Sequence, residues 1–142
     1  MPIDTLTDDN IRTILARTRR VALVGASNKP DRASYGVMAF WLGQGVEVIP
    51  VNPALAGQKI QGNTVVDSLE AAAPLDLVDV FRASEHVGPV ATEAARLGAK
   101  TLWMQLGVIN ETAAAEARQA GLTVVMDRCP KIEAPRLGMR RG

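Results

Sequence analysis

The chain has 142 residues, 47% hydrophobic and 22% charged, with a formal net charge of +1. This is the size and composition of one globular domain with a real core. The near-neutral charge gives no electrostatic case for a nucleic-acid or membrane partner, and aromatics at 4% argue against a base-stacking platform.

No apolar run approaches the roughly 20 residues that span a bilayer. The acidic stretch Met1 to Asp9 lacks a signal-peptide profile. A single cysteine, Cys129, rules out an intramolecular disulfide. The expected compartment is the cytoplasm.

Thr7 followed by Asp8 and Asp9 reads as the capped, acidic start of a short helix within residues 5–18, with Ile11, Ile14 and Leu15 on one face. Arg17, Arg19 and Arg20 suit the end of that helix. Val21 to Val24 reads as a strand buried on both faces, ending at Gly25. Tyr35 to Leu42 is helical in pattern and is stopped by Gly43 and Gly45. Val46 to Val51 is a second strand, ended by Asn52-Pro53.

Residues 54–75 are less regular, with a short helix expected over 67–73. Leu77 to Phe81 is a third strand, followed by a helix capped by Ser84 and stopped by Gly98. Thr101 to Met104 is a fourth strand, in which Trp103 and Met104 face opposite helix layers. Asn110 caps a helix that stops at Gly121, and Leu122 to Met126 is a fifth strand. The tail from Arg136 to Gly142 is expected to be loose and solvated.

Strands alternating with helical patterns predict an α/β fold. The expected form is a doubly wound sheet of about five parallel strands with helices on both faces, as a single domain over 1–142.

In such a sheet a ligand lies at the carboxyl ends of the strands, near the reversal of strand order. The first turn holds Gly25, but Ser27 stands where the dinucleotide pattern wants its second glycine, and Pro30 takes the place of the third. Backbone N–H groups and a hydroxyl remain there for a phosphate, and Lys29 and Arg32 add positive charge. The alternative is a plain structural turn.

After the second strand stands neutral Asn52 rather than the carboxylate that accepts a ribose hydroxyl, so a phosphate on that ribose is not repelled. Asn52-Pro53 alone also reads as no more than a turn. Arg82 suits a phosphate clamp or a pair with Glu85, and Phe81 is expected in the core or, less so, as an adenine wall. Gln105-Leu106-Gly107 reads as a loop whose backbone approaches something closely.

His86, the only histidine, reads as exposed on a helix start. Cys129 lies near Arg128 and Lys131, which could activate a thiol, but no histidine partner is in view. One histidine and one cysteine give no metal-ligand spacing. No catalytic constellation is recognised.

Val24-Gly-Ala-Ser27, Val51-Asn-Pro53, Val80-Phe-Arg82, Trp103-Met-Gln-Leu-Gly107 and Asp127-Arg-Cys-Pro-Lys-Ile-Glu133 occur in the order seen in a known family. Over about residues 10–138 the chain resembles the small stand-alone coenzyme A-binding proteins of bacteria. These are similar to the CoA-binding domain of succinyl-CoA synthetase α subunits. The resemblance implies a Rossmann-like fold with the ligand across the strand ends.

It also implies roles for particular residues. Gly25, Ala26, Ser27 and Lys29, with Arg32, would hold phosphates. Asn52 and Pro53 would meet the adenosine end, Phe81 and Arg82 would border adenine and phosphates, and Gln105 and Gly107 would lie near the pantetheine path. The ligase activity does not carry over, since the synthetases keep their phosphohistidine in a second domain and His86 does not match it. The expected function is non-catalytic binding of coenzyme A or an acyl-CoA. The alternatives are an NADP-linked oxidoreductase or redox sensor, and a thiol carrier using Cys129.

Overall fold

A computed structural model describes residues 3–139. Five strands form one parallel sheet: β1 (Arg20–Val24), β2 (Glu47–Val51), β5 (Leu77–Val80), β6 (Thr101–Met104) and β7 (Thr123–Val125). A separate antiparallel hairpin of β3 (Lys59–Ile60) and β4 (Asn63–Thr64) falls in the irregular stretch, where the sequence analysis had no strand. The strand order is β2-β1-β5-β6-β7. The chain therefore leaves β1 to one side and returns to its other side at β5, which puts the switch point between those two strands. The fold is the expected α/β, Rossmann-like one.

Period-2 alternation divides the core into two layers. Val21, Leu23, Leu77, Trp103 and Val125 pack with α1 (Asp8–Arg17), α2 (Ala33–Gly43) and α6 (Pro130–Arg136). Ala22, Val24, Val78, Val80, Leu102, Met104 and Val124 pack with α3 (Leu69–Ala72), α4 (Val87–Arg96) and α5 (Glu111–Gln119). Trp103 and Met104 thus face opposite layers, as the alternation predicts.

The caps of α1 and α5 are as expected. Thr7 Oγ1 accepts from Asn10 N at 3.1 Å, and Asn110 Oδ1 accepts from Ala113 N at 2.9 Å. Ser84 does not cap α4. Residues Ser84–His86 form a 3-10 turn and α4 begins at Val87, because the Ser84 hydroxyl is used elsewhere: it accepts from Ile109 N at 2.9 Å and donates to the Gly107 carbonyl at 3.3 Å.

Helix α6 and the order at Arg136 also depart from the sequence analysis. Asp4, 1% exposed, accepts from Arg128 Nε at 2.7 Å and Nη2 at 2.9 Å, and from the N–H groups of Leu6 and Met126. Arg128 also pairs with Glu133 at 2.6 Å, and Arg136 joins Glu133 to Asp8. This network fastens the amino-terminal arm and α6 to the end of β7, so Arg136 is ordered. Residues 140–142 of the expected tail lie outside the described residues. Among the described residues no helix is long and apolar enough to cross a membrane.

Candidate functional site

The turn after β1 is built on Gly25. Its φ is +86°, and a Cβ there would lie 2.3 Å from the Phe81 carbonyl oxygen at the end of β5. Only glycine permits that approach, which closes the β1 and β5 ends together at the switch point. Gly25 N and Ala26 N both donate to Val51 O. Asn52 then clamps the same turn, its Nδ2 donating to Ala26 O at 2.8 Å while its Oδ1 accepts from Ala54 N at 2.9 Å. Half of the amide's hydrogen-bonding capacity stays free for a ligand.

These loops surround an open cleft of about 480 Å³. Gly25, Ala26, Ser27, Lys29, Arg32, Asn52, Phe81 and Arg82 all line it. Ser27 Oγ accepts from Lys29 N at 3.1 Å, which leaves its own O–H available. Lys29, Arg32 and Arg82 are exposed, and none has a carboxylate within ion-pair distance among the described residues. The expected alternative for Arg82, a pair with Glu85, does not form. Phe81 is half-buried, with the inner layer on one side and the cleft on the other.

Part of this cleft lies in the first turn of α2, ahead of Tyr35, where the helical pattern of the sequence begins. The helix starts at Ala33, with Arg32 as an N-cap that makes no side-chain cap bond. The N–H groups of Ala33 and Ser34 find no acceptor among the described residues. Ser34 is only 4% exposed, lines the cleft, and its hydroxyl has no partner there either. The signal that could have found this turn is Ser34, a polar residue four positions after the loop proline Pro30 and just ahead of the apolar helical pattern.

A second, more apolar cleft of about 330 Å³ adjoins the first between α3 and α4. Val24, Val51, Pro53, Leu69, Pro89 and Val90 are among its walls, and Arg82 lines both clefts. Pro53 therefore belongs to this second cleft. Gln105 and Gly107 line neither. Gln105 is 6% exposed and its Oε1 has no hydrogen-bond partner. Gly107, with φ +81°, donates its N–H to Asp127 Oδ1 at 2.8 Å and is held by Ser84 from the other side.

His86 is exposed but lies in the 3-10 turn rather than on α4, 3.9 Å from Glu85. Cys129 is buried in the layer of α1, α2 and α6. Arg128 is not free to act on its thiol, because Asp4 and Glu133 engage the guanidinium. Burial by itself would raise the Asp4 and Glu133 carboxyls; the arginine hydrogen bonds and charges, joined at Asp4 by the N–H groups of Leu6 and Met126, together outweigh it and hold both below the ordinary range. Among the described residues no three His, Cys, Asp or Glu side chains could hold a metal ion together.

A Rossmann-like sheet with a basic, glycine-built turn at its switch point defines a class of α/β protein whose ligands lie at the strand ends. The comparisons are more specific. Residues 19–135 match the family described as CoA binding domain, and the chain belongs to that family. The uncharacterized protein YneT of Bacillus subtilis (strain 168) is 42% identical over 123 residues, 86% of this chain and 90% of that protein. A hypothetical protein of Pyrococcus horikoshii OT3 has a similar structure, with a TM-score of 0.91 at 38% identity over 96% of each chain. A Thermus thermophilus protein superposes with a TM-score of 0.87 at 32% identity, over 93% of this chain and 99% of that one.

Proposed function

We propose that the protein binds coenzyme A or an acyl-CoA across the carboxyl ends of β1, β2 and β5, as a binding module without catalysis of its own. The single observation that carries this reading is the cleft at the β1–β5 switch point. There three cations without carboxylate partners and an uncapped helix start face one space. Membership of the CoA binding domain family supports this ligand class.

In this reading the diphosphate lies over the turn Gly25–Lys29 and the first turn of α2, where N–H groups and the positive end of the helix favour an anion. Arg82 spans the two clefts and reaches the ribose phosphate with forked, charge-assisted hydrogen bonds. The apolar cleft beside Pro53 takes the adenine. A buried lone thiol suits the cytoplasm, where thiols stay reduced.

Isothermal titration with coenzyme A tests the proposal, and no heat at high micromolar ligand overturns it. Lys29→Glu is expected to weaken binding at least tenfold with little loss of stability, since Lys29 is exposed. Unchanged affinity removes Lys29 from the site. Asn52 suits NADP as well, because it does not repel a ribose phosphate. A larger thermal shift with NADP than with coenzyme A would favour that second reading.

A further inference from the structure

The two clefts differ in charge. Among the described residues the first is lined by Lys29, Arg32 and Arg82 and by no carboxylate, whereas the second has Asp67 and Glu93 in its walls besides Arg82. Glu93 is already engaged: Arg96 Nη2 donates to its Oε2 at 2.7 Å and Arg96 Nε to its Oε1 at 3.2 Å. Asp67 has no cation within ion-pair distance and no hydrogen-bond partner for its side chain among the described residues. It does not cap α3 either. That N-cap is Ser68, whose hydroxyl accepts from Ala71 N at 3.2 Å.

Backbone pairing fixes where Asp67 lies. Val66 forms a parallel bridge to Val51 at the end of β2, with Val66 N donating to Pro50 O and Asn52 N to Val66 O, each at 3.0 Å. Asp67 therefore leaves the sheet beside Asn52, at the carboxyl edge. The carboxylate that dinucleotide folds carry after the second strand is absent at Asn52, and Asp67 supplies one on the neighbouring segment. The other walls of its cleft are mostly apolar, Pro53, Leu69, Pro89 and Val90 among them. An ionised carboxylate accepts hydrogen bonds and cannot donate them. In such a wall it repels a phosphate or a carbonyl oxygen and favours an N–H group. Adenine presents an amino donor at position 6 of the purine, where guanine has an oxygen.

We propose that Asp67 selects the base: its carboxylate accepts a hydrogen bond from the 6-amino group of adenine, so the second cleft prefers adenine to purines without that donor. This rests on the coenzyme A reading above and adds to it the residue that reads the base. The different charge of the two clefts then fixes the direction of the ligand, with the diphosphate over the turn after β1 and the base between α3 and α4.

The test is calorimetric titration of the full chain, of Asp67→Ala and of Asp67→Asn. The ligands are coenzyme A and its analogue with hydrogen in place of the 6-amino group. The wild type should prefer coenzyme A by about tenfold, the worth of one hydrogen bond to a charged acceptor. Asp67→Ala should bind coenzyme A about tenfold more weakly and the analogue as the wild type does, so that the preference disappears. Asp67→Asn keeps an acceptor oxygen and should retain part of the preference. Asp67 is exposed, so both variants should unfold in urea at the wild-type midpoint. A wild type that binds the two ligands equally, or an Asp67→Ala that keeps the wild-type preference, would overturn the proposal while leaving the coenzyme A reading intact. Failure of the wild type to bind either ligand would overturn the coenzyme A reading itself, and this proposal with it.

Discussion

Asp79 sits in the centre of the sheet, paired in register with Leu23 and Trp103, and is 0% exposed. Its Oδ2 accepts from Trp41 Nε1 at 3.0 Å, while its Oδ1 has no partner. Burial pushes the carboxyl up from 3.8 to about 7, against the weaker opposing pull of the Trp41 hydrogen bond. Below about pH 4 the group is protonated in both the folded and unfolded chain and contributes no pH dependence. Between about pH 4 and 7 only the unfolded chain gives up the proton, so stability falls as pH rises. Above about pH 7 the full deficit persists.

At 1.36 kcal/mol per pKa unit, a shift of about three units makes that deficit about 4 kcal/mol. Asp79→Asn keeps an acceptor for Trp41 and removes the titration. Urea unfolding of both proteins from about pH 4.5 to 8.5 measures the difference directly. The variant should gain on the wild type by about 3 kcal/mol across that range, whatever constant offset its amide introduces. A difference that stays flat within about 0.5 kcal/mol would refute the reasoning and show that the buried group is solvated or paired in solution.

Gly25→Ala should destabilise the fold by about 2–4 kcal/mol in urea, because the new Cβ meets the Phe81 carbonyl and φ is left-handed. Asp4→Ala should cost about 3–5 kcal/mol, since it strands Arg128 with one of its carboxylate partners gone. In the wild type the Asp4 contribution is present above about pH 4 and is lost as pH falls further, opposite in sign to Asp79. Ser84→Ala should loosen the loop at Gly107 and Ile109 at a cost of about 1 kcal/mol. Faster amide exchange at Ile109 would show it, since that N–H donates to the serine hydroxyl.

Much of the fold was legible because its signals are local. The apolar run Val21–Val24 is short and continuous, as suits a strand buried on both faces, and Leu77–Val80 keeps that character except at Asp79. Thr7 and Asn110 announce helix starts by hydrogen bonds that span three residues. The elements that were missed depend on distant partners. Helix α6 contains Pro135 in its interior, so its own sequence argues against it, although Pro130 suits its first position. It is held through Arg128 and Glu133 to Asp4, and through Arg136 to Asp8, both near the opposite end of the chain. Ser84 looks like a cap until Gly107 and Ile109 arrive beside it.

The candidate site divides in the same way. The glycine turn, its cations and the neutral Asn52 are legible along the chain, because the chemistry of a strand-to-helix turn is written in consecutive residues. Tertiary packing alone makes Pro53 and Arg82 border a second cleft, buries Gln105 with an unsatisfied oxygen, and brings Ser34 to the wall of the first cleft. Those facts depend on which strand ends and helices lie side by side. Burial of both faces of the sheet fixes that arrangement, and no spacing along the chain reports it.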